Sequence, residues 1–217
     1  MGRAAHHTRT GRPMTPTPQA LDGILAFLRR AESLKELTRV AWTTGGQQET
    51  VAAHTWRMSL MALVFARHVP GLDLGRLLAI CLVHDLGEAI HGDVSAALQA
   101  GRPDKAAQER RDLLDLTASL PAEDRDALVA LWDEYEAAES LEARVAKGID
   151  KLETILQHNQ GAMPDGFDFR FNLEYGARYT RDEPVLRAIR AVLDGETEQR
   201  AREAEHRGAG GGRDGSA

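Results

Sequence analysis

The chain has 217 residues, 42% of them hydrophobic, and a formal net charge of -6, which suits one domain with a substantial core. Acidic and basic residues are mixed along its length rather than gathered in blocks, and this argues against the basic face that a nucleic-acid polymer requires. No apolar run reaches the roughly eighteen residues of a membrane span, and the N-terminus lacks an apolar signal region, so no membrane partner and a cytoplasmic location are expected.

In chain order, residues 1–17 mix Gly, Arg, Thr and Pro, and residues 199–217 close on Gly208-Ala209-Gly210-Gly211-Gly212. Both compositions bury little apolar surface and read as disordered tails around a folded unit at 18–198. Within that unit apolar spacing predicts helices over 18–38, 50–69, 73–91, 103–119, 123–139, 141–160 and 181–196. No run of alternating apolar residues suggests a sheet, so the expected class is all-α, a helical bundle. Gly92 is placed to stop the third helix, where a left-handed residue is favoured. Residues 161–171 carry Pro164, Gly166 and three aromatics at alternate positions. They fit a short strand, a loop over the site or a dimer contact, with a loop packed back on the core as the default. Cys81, the only cysteine, lies in an apolar run and reads as a buried thiol.

The chemistry concentrates at the end of the most apolar run, Leu77 to Val83, which leads into His84-Asp85 and then Glu88. Spacings of three and four residues put these groups on one helix face. An unpartnered buried charge costs several kcal/mol or more, so the cluster needs a neutraliser. A divalent cation is the simplest one, and a mixed nitrogen and oxygen set suits zinc, manganese, cobalt or iron better than calcium. A hydrogen-bonded cluster without metal is the alternative. Two further groups flank it: His54, in the first turn of a second apolar segment, and Asp150, beside the stripe Leu141, Val145, Ile149, Leu152 and Leu156. Read singly, His54 is a core histidine and Asp150 a surface carboxylate.

Taken together, several segments match one family. They are Leu34-Lys35 with Arg39 and Trp42, Glu49 to His54, His84 to Asp93, Leu131 to Glu136, and Lys147 to Glu153. Their order, with His54, His84-Asp85 and Asp150 at the key positions, resembles the HD-domain phosphohydrolases, and specifically the branch of metal-dependent 5'-deoxynucleotidases. The resemblance spans about residues 34 to 160 and departs from its relatives at Ala53, where an acidic residue is usual.

The resemblance implies an HD-domain helical bundle with a buried metal-binding helix, and one divalent transition metal ion per chain held by His54, His84, Asp85 and Asp150. It implies hydrolysis of deoxyribonucleoside 5'-monophosphates to deoxynucleoside and phosphate. Glu88 takes the part of general acid/base and Asp93 that of a catalytic helper; Arg39 resembles the phosphate clamp and Trp42 the residue whose bulk disfavours a ribose 2'-hydroxyl. A homodimer is the oligomer it suggests. His91, two turns after His84, reads as a packed or solvent-facing residue rather than a fifth ligand. Two other readings remain open at this point: a hydrolase of another small phosphorylated metabolite, and a nucleotide-binding module without catalysis.

Overall fold

The computed structural model describes residues 15–93 and 105–210. Helix α1 (Pro18–Ala31) starts where the Thr17 hydroxyl accepts from the Ala20 N–H at 3.2 Å and Pro18 supplies a φ suited to the first turn. A 3-10 turn, Glu32–Lys35, follows it. The chain then forms an antiparallel pair, β1 (Thr38–Trp42) and β2 (Gln48–Thr50), with Thr38 opposite Thr50 and Trp42 opposite Gln48. The expectations of a first helix reaching 38 and of no sheet are therefore corrected. The cause is local: Gly46 turns the chain at φ 79°, its N–H donating to the Thr43 carbonyl at 3.0 Å, and β-branched Thr38 and Val40 favour extended backbone.

Helix α2 (Val51–Phe65) begins directly after β2, with the Thr50 hydroxyl accepting from Ala53 N at 3.1 Å. This cap sets the phase of the helix, and His54 in its first turn faces inward, fully buried. Helix α3 (Leu74–Val83) is capped by Asp73, whose carboxylate accepts from Arg76 N at 3.0 Å. A single helix over 73–91 was expected, but α3 ends at Val83. Asp85 leaves helical geometry at φ -102°, ψ 9°, and Leu86–Ala89 form a 3-10 turn. Gly87 explains the tighter path, because a Cβ there would lie 2.6 Å from the Glu109 carbonyl oxygen of α4 (Lys105–Leu116). Gly92 then stops the turn with φ 79°, as its position suggested.

Helices α5 (Ala122–Ala137) and α6 (Leu141–Gln160) follow, then the short α7 (Phe171–Glu174) and α8 (Ala177–Thr180), and finally α9 (Pro184–Gly210). Helix α6 lies at the centre, packed against α2, α3, α5, α8, α9 and β1. Its Ile149, Leu152 and Ile155 join Met58, Leu77, Ile80 and Leu186 in the main core. Its Asp150, Glu153, Gln157 and His158 are buried as well, so the helix carries polar groups into the interior, where each must find a partner. A second cluster, Leu113, Leu116, Val129 and Trp132 with Val83 and Leu86, supports the turn after α3 from below.

The 161–170 segment packs back on the core: Phe167 meets His158 and Phe169 edge-on, at ring separations of 4.8 and 5.0 Å. The C-terminal boundary at 198 falls short, since α9 continues to Gly210. Its Leu193, Thr197 and Ala201 repeat every four residues along a buried face, and the Arg200 guanidinium stacks 4.9 Å from the Phe169 ring centroid. The polar composition of this stretch hid that narrow stripe. Residues 1–14, most of the expected N-terminal tail, and 211–217, the end of the expected C-terminal one, lie outside the described residues.

Candidate active site

Four elements deliver the polar groups to one place. The α2 N-terminus brings His54, the turn after α3 brings His84, Asp85 and Glu88, α6 brings Asp150, and β1 brings Arg39. His84 and Asp85 do not share a regular helix face with Glu88, contrary to the helical expectation, because they occupy the helix end and the 3-10 turn. All three still line a cavity of about 640 Å³ together with Arg39, Asp93 and Asp150.

The histidine tautomers follow from their neighbours. His84 Nδ1 lies 2.8 Å from the Cys81 carbonyl, which can only accept, so Nδ1 carries the proton and Nε2 a lone pair. His54 Nδ1 makes a short contact with Glu153 Oε2, which holds the proton there in the same way. Both Nε2 atoms are buried without a hydrogen-bond partner. His84 Nε2 lies 3.0 Å from Asp85 Oδ2, and His54 Nε2 lies 3.4 Å from Asp150 Oδ1 and 3.8 Å from Asp85 Oδ2. Lone pairs aimed at carboxylate oxygens repel unless a cation stands between them. Ligand atoms of His54, His84 and Asp85 all fall within 4.8 Å of one another, and Asp150 Oδ2 is occupied by Tyr135 Oη at 2.7 Å and Lys151 Nζ at 2.8 Å, leaving Oδ1 toward His54. The donor set fits one divalent transition metal.

The electrostatics point the same way. Burial and Arg39 oppose a proton on His54, but Glu153 and Asp150 outweigh them and raise its pKa to about 9; proton and metal compete for that nitrogen. Burial pushes Asp85 and Asp150 upward, yet the former is held well below the usual carboxylate range by His84 and the latter by Lys151 and His54. Glu88 behaves in the opposite way. Burial first, then Asp85 and Asp93, push its carboxyl up to about 10 against the pull of Lys105, whose Nζ stands 3.7 Å away. Its Oε2 is buried and partnerless.

Behind His54 lies a second acidic group, Glu49 and Glu153, which with His54 also has ligand-like spacing. Here the neutralisers are already in place. Arg57 Nε donates to Glu153 Oε1 at 2.7 Å, and Arg39 Nη1 donates to Glu49 at 3.1 Å and approaches Glu153 at 3.5 Å. This is an ion-pair network that orients His54, not a second metal centre. Sequence reasoning did not single out Glu153, Arg57, Tyr135 or Lys151. A signal existed for Glu153, which stands one helical turn after Asp150.

Arg39 is committed to Glu49, Glu153 and Thr154 and keeps Nε toward Asp93 at 3.7 Å. Burial would lower its pKa, but Glu153, Asp85 and Asp150 raise it above the ordinary value. Of the expected site residues, Trp42 and the fully buried His54 are not on the cavity lining. Trp42 sits at the end of β1, where its carbonyl accepts from Gln157 Nε2 at 2.5 Å and Gly161 packs against it. His91 is largely exposed and pairs with Asp112 at 2.7 Å, away from the ligand cluster as expected. His158 is structural, bonded to Asn172 and the Val40 carbonyl, and Cys81 is a buried thiol pushed up to about 12 by burial.

This arrangement of buried histidine and aspartate on a helical bundle defines a class, and the comparisons agree. A family model described as HD domain matches residues 31–190, and the chain belongs to that family. Membership, with the donor set above, implies a divalent metal ion. The chain is similar to human 5'-deoxynucleotidase HDDC2, 34% identical over 155 residues that cover 67% of this chain and 75% of the relative. It is similar to Schizosaccharomyces pombe 5'-deoxynucleotidase hdd1, 32% identical over 143 residues, 62% of this chain and 70% of the relative. A solved structure described as a predicted metal-dependent phosphohydrolase from Magnetospirillum magnetotacticum MS-1 superposes with a TM-score of 0.71 at 28% identity, covering 86% of this chain and 97% of that one.

Proposed function

We propose that this chain is a metal-dependent 5'-deoxynucleotidase, hydrolysing deoxyribonucleoside 5'-monophosphates to deoxynucleoside and inorganic phosphate. The observation that carries this reading is the pair of partnerless Nε2 atoms of His54 and His84 facing Asp85 and Asp150, with a buried Glu88 whose Oε2 is also partnerless on the same cavity. The names of the relatives support the substrate class.

His54, His84, Asp85 and Asp150 would hold one divalent transition metal, of the cobalt, manganese, zinc or iron type. When bound it supplies Lewis acidity, drawing charge from a phosphoryl oxygen and acidifying water. Glu88, whose carboxyl burial, Asp85 and Asp93 push up, is the group beside the ligands that can give a proton to the departing 5'-oxygen, which would otherwise leave as an unstable alkoxide. Asp93, within reach of Arg39, orients that guanidinium toward the phosphate. Tyr135 and Lys151 fix the Asp150 carboxylate by occupying Oδ2.

We place the enzyme in the cytoplasm; no helix among the described residues is long and apolar enough to cross a membrane. We also propose a homodimer formed through α2, whose Trp56, Leu60 and Leu63 make an exposed apolar stripe at helical spacing. Trp56→Glu should shift the mass measured by light scattering from dimer to monomer; an unchanged mass removes this face from the interface.

The activity test is phosphate release from deoxy- and ribonucleoside 5'-monophosphates by metal-stripped protein reloaded with cobalt, manganese or zinc. Metal-dependent turnover favouring the deoxy series is the expected result. Turnover that ignores the sugar moves the substrate elsewhere, and none with any metal leaves a binding module.

A further inference from the structure

The cavity has a second wall that the chemistry above does not use. It is built by Phe171 and residues 174–179, and Lys151, also on the lining, bridges Tyr175 of this stretch and the ligand Asp150. We infer that this wall is the nucleobase platform, with Tyr175 and Phe171 as the stacking surface; the inference rests on the nucleotidase reading and deepens it.

Three observations converge. The first is chemical. The Phe171 and Tyr175 rings both line the cavity, 5.4 Å apart and tilted by 31°, an aromatic surface that is only partly covered. Such a surface suits the π-face of a base. The second is distance. Lys151 Nζ is 2.8 Å from Asp150 Oδ2 and 5.2 Å from the Tyr175 ring centroid, so the aromatic surface begins one lysine head group beyond the ligand carboxylate. A phosphate held beside Asp150 would carry its base, one sugar away, toward this wall.

The third is rigidity. Gly176, at φ 66°, seats against the Lys151 stem, where a Cβ would come within 2.4 Å of the lysine Cγ. Gly148 on α6 lets the Tyr179 carbonyl approach, where a Cβ would stand 2.8 Å from it. Arg190, itself buried, donates to the carbonyls of Tyr175 and Asn172 at 2.8 Å and of Leu173 at 2.5 Å. The wall is thus pinned to the helix that carries Asp150, and its ring positions are set before any ligand arrives, so little ordering entropy opposes stacking.

The test compares kcat/KM for thymidine 5'-monophosphate with that for 2-deoxyribose 5-phosphate, which keeps the phosphate and sugar but has no base. Metal-loaded wild type, Tyr175→Ala, Tyr175→Phe and Phe171→Ala are measured side by side. Each alanine variant should lower the nucleotide-to-sugar-phosphate ratio roughly tenfold, chiefly through KM, as the loss of one base-stacking partner does. Tyr175→Phe should keep the wild-type ratio. An unchanged ratio in both alanine variants, with wild type preferring the nucleotide, overturns the platform while leaving the nucleotidase reading intact. Wild type that turns over neither nucleotide nor sugar phosphate, or prefers the sugar phosphate, overturns the nucleotidase reading and the platform with it.

Discussion

The two walls of the cavity obey different physics. The ligand side, with His84, Asp85 and Asp150 on the cavity and His54 fully buried off its lining, comes from three separate elements, and all of it but the partly exposed Asp85 is buried. Every unused lone pair there has a cost, so its residue types are tightly constrained. The aromatic side, within residues 171–179, is local in sequence, partly exposed and held by the fit of Gly176 on the Lys151 stem, of the Tyr179 carbonyl on Gly148, and by the Arg190 guanidinium on its carbonyls. Its demand is shape, which many sequences satisfy. A site can thus have one wall specified by charge and another specified by packing.

The strongest way to break this comparison is to remove the charge balance. His84→Ala, or stripping the metal with a chelator, should abolish phosphate release, and only the chelated wild type should recover when metal is returned; recovery of the variant would remove His84 from the ligand set. Glu88→Gln should cost roughly 100- to 10,000-fold in kcat, the range of a lost general acid, while metal content measured by mass spectrometry stays at wild type. A variant near wild-type rate would reassign the proton transfer.

Next in size is the layer behind the ligands. Glu153→Gln weakens the acceptor that fixes the His54 tautomer and should lower metal affinity about 10- to 100-fold, read by competition with a chromogenic chelator. Affinity within error of wild type would reduce Glu153 to a packing role.

A pH experiment sharpens the same contrast in the metal-stripped protein. The folded Glu88 carboxyl titrates near 10, against about 4.3 for an unfolded glutamate. Between these values the native state keeps a proton that the unfolded chain has lost. Its contribution is therefore fully present below the lower value and is lost as pH rises through the upper one. Thermal melts of wild type and Glu88→Gln should diverge across that window, the variant gaining relative stability as pH rises; parallel melts would mean that Glu88 is not held protonated. The smallest effect belongs to Trp42. Because the side chain lies off the cavity wall, Trp42→Phe should leave the deoxy-to-ribo ratio unchanged, and any large shift would show that the indole reaches the substrate after all.

Legibility followed the same division. The apolar run ending in His84-Asp85 and the helical stripe beside Asp150 were visible as sequence, because buried charge in an apolar context is rare enough to signal itself. The hairpin Thr38–Thr50 was not, although Gly45-Gly46 marked its turn; the strands are too short for an alternating pattern to stand out. The break at Val83 was hidden because Leu86 and Ala89 continue an acceptable helical pattern, and only the close approach of α4 at Gly87 forces the 3-10 path. Likewise Glu153 looked like an ordinary helix carboxylate until His54 and Arg57 met it from another helix.

By itself the sequence determined the helical class, the family, and the residue types able to hold a metal and move a proton, because periodicity and ligand chemistry are written in local order. The tertiary structure decided which lone pairs were left unpaired, that the Glu88 carboxyl is pushed up, that Trp42 lies off the cavity lining, and that aromatic residues share the cavity with ligand carboxylates. Those properties depend on distances between segments far apart in the chain and on the dielectric that packing creates around them.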